Sequence, residues 1–167
     1  MKDDNFSLLG KTILVTGATN GIGFEICKQI ATTGGNLIGI GRNIEKLQHY
    51  INDHSLEEST VVAFDFVEIE NIHLLVSDLT TRIDGFVHSA GIAHVSPMHF
   101  FNYNDYENVR KINLDSVLVL FSELLKKKKV NKNASVVFIS SISAIRGAKG
   151  NGIYAITKAA LDSISKV

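Results

Sequence analysis

Cysteine appears once in the 167 residues, at Cys27, proline once, at Pro97, and tryptophan not at all. A single thiol excludes an intrachain disulfide and fits a reducing, cytoplasmic setting. Neither sign of charge is in excess, because 17 basic and 17 acidic side chains leave a net charge of zero. Nucleic acid and anionic membrane surfaces therefore lose their usual electrostatic ground as partners. Long apolar runs are also missing. The longest, Val117 to Phe121 and Val136 to Ile139, fall far short of the roughly 18 to 20 residues that cross a bilayer. The opening, MKDDNFSLLG, places Asp3 and Asp4 where a secretory signal has a basic patch followed by an apolar stretch, so the chain reads as neither secreted nor membrane-spanning. The six histidines include no pair at i, i+4 beside an acidic ligand, and no metal site is expected.

What is there is an ordinary globular composition, 45% hydrophobic and 20% charged, with enough apolar surface for a core that needs no staples. One domain over residues 1–167 is the expectation at this length. Short β-branched runs alternate with stretches of helical periodicity. The strand candidates are Thr12 to Thr16, Asn36 to Ile40, Thr60 to Phe64, Gly85 to Ser89 and Ser135 to Ser140. Helices are expected over Ile22 to Thr33, Ile44 to His54, Asn71 to Thr81 and Asn104 to Lys129, with a last one starting near Ile153. Runs such as ILVT and VVFIS are apolar throughout, as in strands covered on both faces. This βαβα pattern predicts an α/β fold with a doubly wound parallel sheet in the order 3-2-1-4-5. No strand follows the last helix before Val167, so the sheet is expected to continue in further chain.

The first strand candidate runs into Thr16-Gly17-Ala18-Thr19-Asn20-Gly21-Ile22-Gly23. Glycines between a strand and a helix let the backbone approach a pyrophosphate, whose charge the helix N-terminus stabilises. Gly17 would make the tight turn, Gly21 the close approach and Gly23 the contact of helix with sheet. An acidic residue usually ends the second strand when the ribose hydroxyl is read. Here Gly41 stands in that place and Arg42 follows. A guanidinium grips a phosphate through paired hydrogen bonds, which favours NADP(H) over NAD(H). Further along, Tyr154 and Lys158 are four residues apart and share a helix face.

In that order, with Asp65 after the third strand, Ser89-Ala90-Gly91 after the fourth, Asn113 in the long helix and Ser141 thirteen residues before Tyr154, these motifs resemble the short-chain dehydrogenase/reductase family. The nearest general resemblance is to its 3-oxoacyl-acyl-carrier-protein reductase branch. It implies a Rossmann-type subunit, a homo-oligomer, that transfers hydride between a nicotinamide cofactor and a small-molecule carbonyl or alcohol. By the same resemblance Tyr154 is the general acid/base, Ser141 hydrogen-bonds the substrate oxygen, and Lys158 holds the nicotinamide ribose. Asn113 would position a water that relays protons. Asp65, with Phe66 beside it, would contact the adenine; Ser89, Ala90 and Gly91 would border the adenosine; and Thr19, Asn20 and Ile22 complete the turn beneath the phosphates. A phenol titrates at about 10 in water, so a neighbouring cation such as Lys158 is what lets it shuttle protons near neutrality.

Two departures from the family pattern stand out. His88-Ser89 occupies the place of two asparagines, with His88 a partial substitute for the hydrogen bonds they make. The family's further strand, substrate lid and final strand with its helix are not in these 167 residues. A chain of this length is expected to turn over weakly or not at all. The alternative reading is a nucleotide-binding fragment or pseudoenzyme that acts by binding a partner. Other features read as bland: Cys27 as an inert core thiol, Lys126 to Lys129 as a solvated helix end, and Phe100, Phe101, Tyr103 and Tyr106 as core or subunit contact.

Overall fold

The computed structural model describes residues 6–167, so the acidic opening at Asp3 and Asp4 lies outside the described residues. The chain divides into two compact units. The first holds the residues up to Asp65 with Leu79–Ser89 and Lys128–Val137; the second holds Phe66–Asp78, Ala90–Lys127 and Phe138–Val167.

The first unit is built on five strands, β1 (Thr12–Thr16), β2 (Asn36–Gly41), β3 (Thr60–Ala63), β4 (Ile83–His88) and β5 (Val130–Phe138). They form one sheet in the order β3-β2-β1-β4-β5, the Rossmann-type order expected from the sequence. β1 pairs in parallel with both β2 and β4, and β2 with β3. Two helices follow their strands, α1 (Gly21–Thr32) and α2 (Glu45–Asp53). Ile13, Val15 and Leu37 of the sheet pack with Phe24, Cys27 and Ile30 of α1 and Leu47 and Ile51 of α2. Leu14, Ile38, Ile40 and Phe86 point the other way along the strands and are buried too, so both faces of the central strands are dry. Each such side chain contributes about 1.5–3 kcal/mol by leaving water. Asp84 at the start of β4 ties the sheet's lower edge together. It accepts from the Thr12 N–H at 3.0 Å and from Asn131 Nδ2 at 3.1 Å, with Lys11 Nζ 3.7 Å away. The Thr12 bond, chiefly, holds its carboxyl below the usual carboxylate range.

The fifth strand departs from expectation in two ways. It begins at Val130, five residues before Ser135, because Asn131, Lys132 and Asn133 have little strand propensity and hid its start. It is also exposed rather than covered on both faces, with Val136 at 38% and Val137 at 47% of full exposure. β5 ends the strand order and so has a neighbour on one side only.

The second unit is helical: α3 (Ile72–Asp78), α4 (Tyr103–Arg110), α5 (Ser116–Lys126) and α6 (Gly152–Ile164), with short 3-10 turns at Ile69–Asn71, Met98–Phe100 and Ile142–Ala144. α3 packs on α5, and α6 packs on α4 and on the Ile142–Ala144 turn. The long helix expected from Asn104 is continuous but widens into a π turn at Lys111–Asp115. Arg110 and Asp115, five residues apart, form a 2.7 Å ion pair across that turn, the spacing a π turn brings face to face. The lysine run is not simply solvated. Lys127 Nζ donates to the His73 carbonyl at 2.8 Å and to Ser77 Oγ, tying the end of α5 to the side of α3. Phe100, Phe101 and Tyr103 are exposed, which excludes the core half of the expectation for that cluster. No helix among the described residues is long and apolar enough to cross a membrane. No group of three or more His, Cys, Asp or Glu side chains among them could hold a metal ion.

Candidate active site

In the first unit, the turn after β1 takes the conformation its glycines permit. Gly17 has φ +66°, in the left-handed region where a side chain is disfavoured. Asn20 then leaves the turn in extended geometry and caps α1, its Oδ1 accepting the Gly21 N–H at 2.8 Å. A Cβ at Gly23 would lie 2.1 Å from the Gly17 carbonyl oxygen, so the third glycine packs on the peptide of the first. The backbone at Gly21 is exposed, and a Cβ there would meet nothing within 4 Å. That is an open approach to the start of a helix, with the macrodipole's positive end behind it. Ile22 is exposed at the same place.

Below this turn, Thr16 and His88 are buried side by side at the ends of β1 and β4. Thr16 Oγ1 lies 2.9 Å from His88 Nδ1 and accepts the Ser89 N–H at 3.2 Å. The histidine that replaces an expected asparagine is thus built into the junction of the two central strands. Gly41 closes β2, and Arg42 after it is exposed. Asp65 is half-buried beyond β3.

In the second unit, Asn113, Ser141, Tyr154 and Lys158 all appear, as do Phe66, Ala90 and Gly91. Asn113 sits in the π turn and is completely buried. Its Oδ1 accepts the Ile92 N–H at 2.8 Å, and its Nδ2 donates to the Ile92 carbonyl at 3.0 Å and to Thr157 Oγ1 at 3.2 Å. Both amide hydrogens are engaged, which leaves one lone pair of Oδ1 for any further partner. Lys158 is buried on α6, and its Nζ donates to the Ile139 carbonyl at 2.7 Å. The same Nζ stands 5.7 Å from the centroid of the Tyr154 ring, within range of a cation–π contact. Burial lowers the Lys158 pKa from its ordinary 10.5, opposed by the nearby Asp162 carboxylate. Gly91 lies against both residues: a Cβ there would be 3.3 Å from Asn113 Oδ1 and 3.5 Å from Lys158 Nζ. Phe66 and Ala90 are buried.

Ser141 is in extended conformation and caps the Ile142–Ala144 turn, its Oγ accepting the Ser143 N–H at 3.1 Å. An accepting hydroxyl keeps its own proton to give. Ser140, its neighbour, donates to the Lys158 carbonyl at 3.3 Å. One site residue escaped the sequence reading. Thr157, completely buried, donates to the Tyr154 carbonyl at 2.8 Å while receiving Asn113, so it links the helix turn of the tyrosine to the π turn. Its signal was a threonine three residues after Tyr154, the spacing at which threonine bonds back to its own helix.

The family model described as short chain dehydrogenase matches residues 11–167. Among curated proteins, the chain is 31% identical over 159 residues to the 3-oxoacyl-acyl-carrier-protein reductase FabG of Rickettsia bellii, covering 95% of this chain and 65% of that protein. It is 31% identical to the oxidoreductase YciK of Escherichia coli, covering 94% of this chain and 66% of that one. Among solved structures, a short chain dehydrogenase of Shigella flexneri 2a complexed with NADP superposes with a TM-score of 0.84 at 32% identity, over 94% of this chain and 70% of that one. The chain thus spans about 65% of the length of the FabG relative.

Proposed function

Since the chain belongs to the short chain dehydrogenase family, we propose that it carries the nucleotide-binding and proton-transfer residues of an NADP(H)-dependent oxidoreductase acting on a carbonyl or alcohol. The observation that carries the proposal is the buried Lys158 ammonium, held by the Ile139 carbonyl 5.7 Å from the centre of the Tyr154 ring, on a helix turn that Thr157 ties to Asn113. A neighbouring cation favours the ionised form of a phenol and so suits it to exchange a proton near neutrality. The exposed backbone at Gly21, open above the start of α1, fits a pyrophosphate. Gly17, Thr19, Asn20, Gly21, Ile22 and Gly23 would hold the phosphates, Arg42 the 2′-phosphate, Asp65 and Phe66 the adenine, and Ser89, Ala90 and Gly91 the adenosine.

When bound, the nicotinamide supplies or accepts the hydride. Tyr154 gives its phenolic proton to the carbonyl oxygen in reduction and takes it back in oxidation. Ser141, whose Oγ already accepts the Ser143 N–H, donates its own proton to the same oxygen and stabilises charge developing there. Lys158 keeps a positive charge beside the phenol and binds the cofactor ribose. Asn113 fixes the Ile92 peptide next to Lys158 and borders the path by which protons are replenished. The NADP complex of the Shigella relative and the reductase name of the Rickettsia relative support the cofactor and reaction class. A homo-oligomer working in the cytoplasm completes the proposal.

The test is a panel of ketones, β-ketoacyl thioesters and secondary alcohols, assayed by absorbance of the reduced nicotinamide, alongside direct titration of NADPH and NADH. The proposal requires NADPH binding by this chain and turnover of the panel by the full-length protein that contains it. Tight NADPH binding with no turnover across the panel would favour a nucleotide-binding partner protein instead.

A further inference from the structure

We infer that Thr19 is a steric gate that keeps an acidic side chain out of position 41, so that the choice between the two nicotinamide dinucleotides is set by the Thr19–Gly41 pair together with Arg42. This rests on the reading of the Gly17–Gly23 turn as a nucleotide site. Sites of this kind that read an unphosphorylated ribose do so with a carboxylate at the end of the second strand, and here that residue is Gly41. A Cβ at position 41 would lie 2.7 Å from Thr19 Cγ2, 2.8 Å from Thr19 Oγ1 and 3.3 Å from Thr19 Cβ. Thr19 supplies all three of the nearest atoms, and each lies inside the roughly 3.5–4.0 Å of favourable contact.

Rotating the threonine does not clear the space. A β-branched side chain fills two of the three staggered positions on its Cβ, and in Thr19 both heavy atoms face Gly41. Every rotamer therefore leaves at least one of those two positions occupied. Serine fills one position only and can turn away, so the obstacle is the branch rather than the hydroxyl. The backbone on each side is also held. The Gly41 carbonyl accepts the Phe64 N–H at 2.9 Å, and the Ile40 carbonyl accepts the Ala18 N–H at 3.1 Å. Gly41 is not among the glycines with positive φ, so its conformation alone would admit a side chain. A 2′-phosphate held by Arg42 needs no side chain at 41, whereas a free ribose hydroxyl does. With Thr19 in place, the carboxylate that would welcome NAD(H) has no room.

Two measurements on the purified protein test this. In the first, the thermal midpoint is read without nucleotide for Gly41→Ala in three backgrounds. The gate predicts a clear loss with the natural threonine and with Thr19→Val, and little or none with Thr19→Ser. In the second, dissociation constants for NADPH and NADH are compared for Gly41→Asp and for Thr19→Ser/Gly41→Asp. The double variant should bind NADH at least about tenfold more tightly than the single one, a shift well outside titration error. Equal losses for Gly41→Ala in the threonine and serine backgrounds would overturn the gate whatever the nucleotides do. Failure of the unsubstituted protein to bind either nucleotide, with the stability coupling intact, would instead overturn the cofactor reading on which the inference rests.

Discussion

Lys158 Nζ stands 5.7 Å from the centre of the Tyr154 ring, and the same amine is buried and bonded to the Ile139 carbonyl at 2.7 Å. Burial lowers its pKa from 10.5. Between that lowered value and 10.5 the unfolded chain binds more protons than the native one, so this residue's cost to stability shrinks as pH rises through the window. Below the window the cost is fully present. Lys158→Met is expected to flatten the rise. Urea unfolding of both proteins from neutral pH to 10.5 checks it, and parallel pH profiles would contradict the burial argument.

Asn113 clamps both polar groups of the Ile92 peptide and also Thr157. Asn113→Ala leaves those groups without partners in a closed interior, and a loss of about 2–4 kcal/mol is expected. Denaturant melts measure it. A loss no larger than that of an exposed asparagine would mean that the π turn is held by other contacts.

Arg42 is exposed after a strand that ends in glycine. Arg42→Asp removes the cation and supplies a carboxylate near the ribose, so the ratio of NADPH to NADH affinity should fall by at least about tenfold. Paired titrations read the ratio directly. An unchanged preference would remove Arg42 from the phosphate site.

Cys27 is buried under the Ala18 carbonyl, and desolvation pushes its thiol up to about 12. Since the thiolate is the reactive form, labelling by a disulfide reagent at neutral pH should proceed at the rate of unfolding. Stopped-flow labelling with and without denaturant separates the cases. Rapid labelling of the native protein would contradict the buried environment.

The sheet order was legible because short apolar runs, residues 13–15 in β1 and 37–40 in β2 above all, alternate with stretches of helical periodicity, the pattern of a parallel sheet covered on both faces. β1 has the bounds that the sequence suggested, Thr12–Thr16. The edges were less legible. β5 starts among asparagines and a lysine, and its exposure follows from its place in the strand order, which no local pattern records. The glycine turn was readable because positive φ at Gly17 and close packing at Gly23 admit few other residues. The links that fix the second unit were not. Asn113 reaches Ile92 across 21 positions and Thr157 across 44, and long-range side-chain bonds leave no periodic trace. The π turn was hidden for the same reason: the Arg110–Asp115 pair that spans it looks, in sequence, like two ordinary helix charges. For Phe100, Phe101 and Tyr103 the sequence did not separate core from subunit contact, and their exposure removes the core half, because hydrophobic identity does not fix burial.

The most direct measurement is turnover and NADPH affinity of Tyr154→Phe in the full-length protein, a change that removes one oxygen from a half-buried ring and little else. Nicotinamide binding should be unchanged within error while kcat falls by about 10²- to 10⁴-fold, the usual worth of a positioned proton donor. A phenylalanine variant that reduces the same carbonyl substrate at near the original rate would contradict the assignment of Tyr154 as the acid and base of this protein.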